Sequence, residues 1–102
     1  MPTEFEKKVY RLCKKIPKGK VSTYKAIAEK LGIKAYQAVG NALRRNPYAP
    51  EVPCHRVVSS KGHLHGFGGK TDQKALNRKK RMLEKERIEI RSNIVDKKYF
   101  YD

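Results

Sequence analysis

Six consecutive residues, Pro53, Cys54, His55, Arg56, Val57 and Val58, set a thiol beside an imidazole and a guanidinium just before a valine pair. The chemistry this allows is nucleophilic. A thiolate attacks where a thiol does not, and a neighbouring His or Arg lowers the cost of forming it. His55 is the candidate to take the proton, directly or through one water. Pro53 biases the preceding residue toward extended backbone, so the segment is expected to enter a strand as a fixed loop. The competing reading is a small buried hydrophobe, which most single cysteines are.

Glu86 falls on the apolar stripe of the last expected helix, with Leu76, Met82 and Leu83. A buried carboxylate needs a partner. His55 would serve, and Cys54, His55 and Glu86 would then form a relay in which the carboxylate orients the imidazole. A helix end with Glu86 in solvent fits the same pattern. Cys54, His55, His63 and His65 are close in sequence, but their spacing matches no common zinc site. Adjacent Cys54 and His55 would also point to opposite sides of an extended chain. No metal and no cofactor are expected.

Three helices must precede this segment. Phe5, Val9, Leu12, Cys13 and Ile16 recur at helical spacing over residues 4–16, which makes Cys13 a core residue, and Pro17 and Gly19 end the run. Ser22 is the expected N-cap of a second helix with Tyr24, Ile27, Ala28 and Leu31 on one face, closed by Gly32. A third runs over residues 34–45 and stops before Pro47. Two short helices joined by a glycine-containing turn make a helix-turn-helix. At about 100° per residue, Tyr36, Val39 and Leu43 face one way and Gln37, Gly40, Asn41 and Arg44 the other. That second face is small and polar with one cation, so a nucleic-acid backbone could approach at Gly40 while Arg44 meets phosphate. An ordinary solvated face has the same composition.

After a loop at residues 46–50, Val57 and Val58 are expected to begin a strand. Lys61 and Gly62 would turn it, and Leu64 would start its return. Gly66, Phe67, Gly68 and Gly69 form a run that lets backbone approach a ligand. A final helix begins near Thr71, and Ile88 and Ile90 then alternate with charges ahead of an aromatic tail.

At 102 residues the chain is read as one domain, residues 1–102. No apolar run reaches the length of a membrane span and residues 1–20 lack the apolar centre of a signal peptide. The expected setting is cytoplasmic and reducing, away from membranes. Two cysteines in unlike surroundings give no disulfide framework. A formal charge of +15 calls for a polyanionic partner, and nucleic acid is the first candidate. The run Arg78, Lys79, Lys80, Arg81 concentrates that charge.

A helix-turn-helix carrying a proline-framed Cys-His-Arg strand, a glycine-rich loop and a basic final helix resembles the DNA-binding, active-site domain of the O6-alkylguanine-DNA alkyltransferases. The likeness runs from about residue 5 to 90. Its most specific element is Pro53 to Val58, supported by Ala38, Val39, Gly40, Asn41, Ala42 and Leu43 followed by Asn46 and Pro47. The resemblance implies a mainly α fold with a short β-hairpin, winged helix-turn-helix-like, acting as a monomer on duplex DNA that contains O6-alkylguanine. It makes Cys54 the acceptor that keeps the alkyl group, His55 the base acting through a water, and Glu86 the residue that holds the imidazole. Asn46 braces the loop behind the site and Tyr24 donates a hydrogen bond to the departing guanine. Backbone groups of Cys54 and Val57 read the flipped base, with Phe67 and Gly68 beside it in the pocket. Gln37, Ala38, Gly40, Asn41, Arg44 and Arg56 contact DNA.

The sequence departs from the family pattern in three places. Gln37 stands where a helix arginine usually fills the gap left by the flipped base. Phe67 replaces a tyrosine, and Gly68 a serine or alanine. Larger members also carry an N-terminal domain not found in this sequence. Small alkyltransferase-like relatives bind lesions without repairing them and usually have tryptophan at the position of Cys54, so the thiol favours the transferase over the lesion-binding alternative.

Overall fold

The computed structural model describes residues 2–48, 51–64 and 73–101. Among the described residues four helices carry the fold: α1 (Glu4–Lys14), α2 (Tyr24–Lys30), α3 (Tyr36–Arg44) and α4 (Gln73–Lys85). Four two-residue strands join them, β1 (Ser22–Thr23), β2 (Val57–Val58), β3 (Ile90–Arg91) and β4 (Ile94–Val95). The architecture is mainly α with a short β-hairpin, as expected.

The helix starts follow from local chemistry. Thr3 accepts from the Glu6 amide at 3.1 Å while Glu6 accepts from the Thr3 amide at 2.8 Å, a reciprocal capping box. Thr23, rather than Ser22, caps α2 by accepting from the Ala26 amide at 2.9 Å. α2 begins only at Tyr24, which puts Thr23 and not Ser22 at the cap position, while the backbone of both pairs in a parallel ladder, Ser22 to Val57 and Thr23 to Val58. Gly32 ends α2 at φ +71°, with its amide on the Glu29 carbonyl and the Ile33 amide on that of Ala28. This closing motif needs a left-handed residue, which glycine supplies without a steric cost.

The core lies in two lobes. Val9, Cys13, Ile16, Ile27, Val39, Leu43 and Val57 fill the first, between α1, α2 and α3. Tyr10 ties α1 to α3 by donating from its hydroxyl to the Ala42 carbonyl at 2.7 Å. Val21, Val58, Leu64, Leu83, Ile88 and Val95 fill the second. Successive residues of a strand face opposite sides, so Val57 and Val58 seal one lobe each.

Two sequence expectations are corrected here. Leu64 does not return along Val57 and Val58: β2 pairs in parallel with β1, and residues 62–64 run along β4 instead, with Leu64 donating to the Asn93 carbonyl and Val95 to that of Gly62. The hairpin is β3–β4, turned by Ser92 and Asn93 at φ +51° and +59°, the paired positive values that match strand twist. Tyr36, assigned to the apolar face of α3, is 46% exposed. It is the first residue of the helix, and the core beneath Val39 and Leu43 does not extend that far.

The aromatic tail adds to the β1 end. The Val21 amide donates to the Tyr99 carbonyl at 2.9 Å and the Tyr101 amide to that of Val21 at 2.7 Å. No helix among the described residues is long and apolar enough to cross a membrane.

Candidate active site

Cys54 opens a single 3₁₀ turn, Cys54–Arg56, where an extended entry was expected. The turn is built by Arg56 donating its amide to the Pro53 carbonyl at 2.9 Å and Val57 donating to that of Cys54. A turn separates neighbouring side chains differently from a strand: His55 is driven inward to 4% exposure while Cys54 stays half-buried. Both cysteines are free thiols.

Behind the turn a polar network converges on Glu86. His55 Nε2 lies 2.8 Å from Glu86 Oε2. Arg56 donates from Nε to Oε1 and from Nη2 to Oε2, both at 2.9 Å, and from Nη1 to the Ile16 carbonyl at 2.9 Å. Burial pushes the Glu86 carboxyl up, but hydrogen bonds from Arg56 and His55 outweigh it and hold the group below the usual carboxylate range. Burial pulls His55 down, against the pull of Glu86, with Arg56 and Lys79 adding to the depression. A neutral imidazole donating from Nε2 to an ionised Glu86 leaves the Nδ1 lone pair to accept a proton.

Arg56, assigned to DNA contact from the sequence, is turned inward: its side chain is 17% exposed and three of its nitrogens serve the interior. Asn46 braces the loop, donating from Nδ2 to the Val52 carbonyl at 2.9 Å and accepting from the Tyr48 amide at 2.9 Å. Tyr24 and Cys54 both pack against the first lobe of the core. Burial, and then the nearby Cys54 and Cys13 thiols, push the Tyr24 hydroxyl up to about 12, so it remains a donor at neutral pH. Cys13 is fully buried and likewise pushed up to about 12, which leaves Cys54 as the more accessible thiol of the pair.

On α3, Gln37, Asn41 and Arg44 are exposed, and Ala38 and Gly40 partly so. A Cβ at Gly40 would meet nothing within 4 Å, which makes this an open surface. Phe67 and Gly68 lie outside the described residues, as do Thr71 and the rest of the glycine-rich run. Among the described residues no cluster of His, Cys, Asp and Glu is placed to hold a metal.

The sequence reading missed Lys79. Grouped there with the exposed basic run, it is 1% exposed and donates from Nζ to the Val57 carbonyl at 2.8 Å. Burial pulls its amine down to about 8, opposed by the charge of Cys54. The signal was in the spacing, since Leu76, Lys79, Leu83 and Glu86 succeed one another at three or four residues, the period of one helix face.

Fold and site together define a class: a helix-turn-helix domain that presents one half-buried thiol backed by a His-Glu-Arg network. Residues 4–88 match the family model described as 6-O-methylguanine DNA methyltransferase, DNA binding domain. A methylated-DNA--protein-cysteine methyltransferase of Mycobacterium leprae is 42% identical over 93 residues, covering 90% of this chain and 53% of the relative. A crystal structure of S. pombe Atl1 in complex with damaged DNA containing O6-carboxymethylguanine superposes with a TM-score of 0.83 at 34% identity, covering 97% of this chain and 95% of that one. A crystal structure of Mycobacterium tuberculosis OGT in complex with DNA gives 0.75 at 40% identity, over 84% and 51%. The chain belongs to the 6-O-methylguanine DNA methyltransferase family, and it spans about half the length of the curated relatives it matches.

Proposed function

We propose that this chain extrudes O6-alkylguanine from duplex DNA and transfers the alkyl group irreversibly to Cys54. The observation that carries the reading is the half-buried Cys54 thiol standing on a turn whose next residue, His55, is held by Glu86 at 2.8 Å. The thiol proton passes to His55 through a water. The thiolate then attacks the alkyl carbon, the S–C bond forms as the C–O6 bond breaks, and the electron pair moves to O6 and the guanine ring, where Tyr24 donates. The acceptor is consumed, so one protein molecule repairs one lesion.

An alkyl carbon inside a duplex is beyond reach of a side chain, and the nucleotide must leave the stack at a cost of a few kcal/mol. Gln37, Ala38, Gly40, Asn41 and Arg44 on the open face of α3 contact the DNA, while Val57, Phe67 and Gly68 line the pocket that receives the base. The complexes of Atl1 and OGT with DNA support duplex DNA as the partner.

A second reading, recognition of the lesion without repair, is favoured by the likeness in fold to Atl1, a TM-score of 0.83 to a complex with damaged DNA. Retention of the thiol opposes it. Intact-protein mass spectrometry with a duplex carrying one O6-methylguanine separates the two. One added methyl, stoichiometric and mapped to Cys54, supports transfer, and Cys54→Ala should then bind the lesion without gaining mass. An unshifted mass with tight lesion binding would make the chain a damage sensor.

A further inference from the structure

At about 100° per residue, Lys7, Lys8, Arg11, Lys14 and Lys15 fall within one arc of about 120° on α1 and its C-cap, all exposed, opposite the face that Val9, Cys13 and Ile16 bury. Glu4 shares the arc and pairs with Lys7 in solvent at 3.5 Å. Lys8, Arg11, Lys14 and Lys15 meet no carboxylate among the described residues. Helix formation does not account for this row. The helix dipole favours Arg11 and Lys14 in the last turn, but not Lys7 and Lys8 upstream of it. Lys7 and Arg11, and Arg11 and Lys15, also repel at a spacing of four. Neutral glutamines would hold the same helix without that repulsion.

The row lies beside α3. Tyr10 of α1 donates to the Ala42 carbonyl at 2.7 Å, and Arg45, at the C-cap of α3 with its side chain 74% exposed, stands with Nη1 3.6 Å from Glu6 Oε2. Lys7, Arg11 and Lys14 form the side of the basic arc nearest Glu6 and Tyr10. The open face of α3, by contrast, carries one cation, Arg44, among Gln37, Gly40 and Asn41, so that face alone makes little use of a net charge of +15. From Lys7 to Lys14 the helix rises about 10 Å, the length over which one DNA strand presents three phosphates at about 3.4 Å each. We infer that Lys7, Arg11 and Lys14 contact phosphates of the duplex that α3 engages, so that the DNA interface continues across Arg45 onto α1. The inference rests on duplex DNA being the partner of α3.

The test is the slope of log K against log salt for an undamaged duplex, read by fluorescence anisotropy. It compares wild type with a triple variant, Lys7→Gln, Arg11→Gln and Lys14→Gln, and with a control, Lys74→Gln, Arg81→Gln and Lys85→Gln. Glutamine keeps the helix propensity of the residues it replaces, and the control removes the same charge from exposed positions on α4. At about 0.9 per phosphate, the α1 variant should lose about 2.7 of the slope while the control keeps the wild-type value. A wild-type slope in the folded α1 variant would overturn the inference. So would an equal fall in the control, which would make net charge alone the cause. Sedimentation with excess duplex decides which duplex α1 holds: one duplex per wild-type protein is expected, and a second one, lost in the α1 variant, would overturn continuity with α3. The duplex carries no lesion, so failure of methyl transfer to Cys54 is read separately.

Discussion

Arg56 and Glu86 meet in a two-pronged ion pair, Nε to Oε1 and Nη2 to Oε2 at 2.9 Å each, and the second oxygen also takes the His55 ring nitrogen at 2.8 Å. The guanidinium therefore matches the charge of the carboxylate that orients the imidazole. Without it, the pull of Glu86 on His55 toward the protonated imidazole would lose one of the charges that oppose it.

Arg56→Met removes the guanidinium and leaves Glu86 paired with His55 alone. Breaking a buried pair costs about 3 kcal/mol, to be read from the urea midpoint. The His55 titration should also move up, because Arg56 is among the groups that depress it. An unmoved His55 resonance would separate Arg56 from the relay.

The pH dependence of stability follows from the same groups. The folded His55 pKa lies below the unfolded value of 6.5, so the unfolded chain takes up a proton first as pH falls. Stability should drop as pH decreases below about 6.5. The Glu86 contribution, present above its unfolded value of 4.5, is lost as pH falls through the lower folded value. Urea unfolding of wild type and His55→Gln between pH 7 and 5 checks the first step: the variant should start lower and show the shallower slope, and equal slopes would exclude His55 as the cause.

Gln37 is exposed on the open face of α3. Gln37→Arg adds one phosphate-range cation, so the slope of log K against log salt for duplex binding should steepen by about 0.9. Methyl transfer should also quicken if this position fills the gap left by an extruded base. Stability should stay within about 0.5 kcal/mol of wild type. A slower or unchanged transfer rate would remove Gln37 from the extrusion step.

Arg87 holds φ +67° just beyond α4, its amide on the Glu84 carbonyl at 2.9 Å and the Ile88 amide on that of Leu83 at 3.2 Å. This is the closing motif that Gly32 supplies for α2, here made by a residue with a Cβ. The left-handed conformation costs a non-glycine residue about 1 kcal/mol, and the greater freedom of unfolded glycine offsets part of the gain. Arg87→Gly should stabilise by about 0.5 kcal/mol, a rise in Tm of about 2–4 °C. Differential scanning calorimetry would show it, and a fall in Tm would mean that the Arg87 side chain contributes more than its backbone costs.

The helices, the glycine closing α2 and the Cys54, His55 and Glu86 set were legible in the residue order, because helical period, capping chemistry and nucleophile chemistry act over short spans. The strands were harder. Each is two residues long, too short for alternation to be read, and Ser22 and Thr23 are equally good caps until the pairing of both with β2 holds them extended and delays the helix to Tyr24. Tyr36 carries the right period for the core but lies beyond its edge, which depends on where α1 and α2 end. Arg56 and Lys79 read as surface cations because the unfolded chain offers no other use for them. Folding brings Glu86 to one and the Val57 carbonyl to the other across long stretches of sequence. Local order set the helices and the Cys54-His55 pair; the partners that hold Arg56 and Lys79 are met only when the chain has closed.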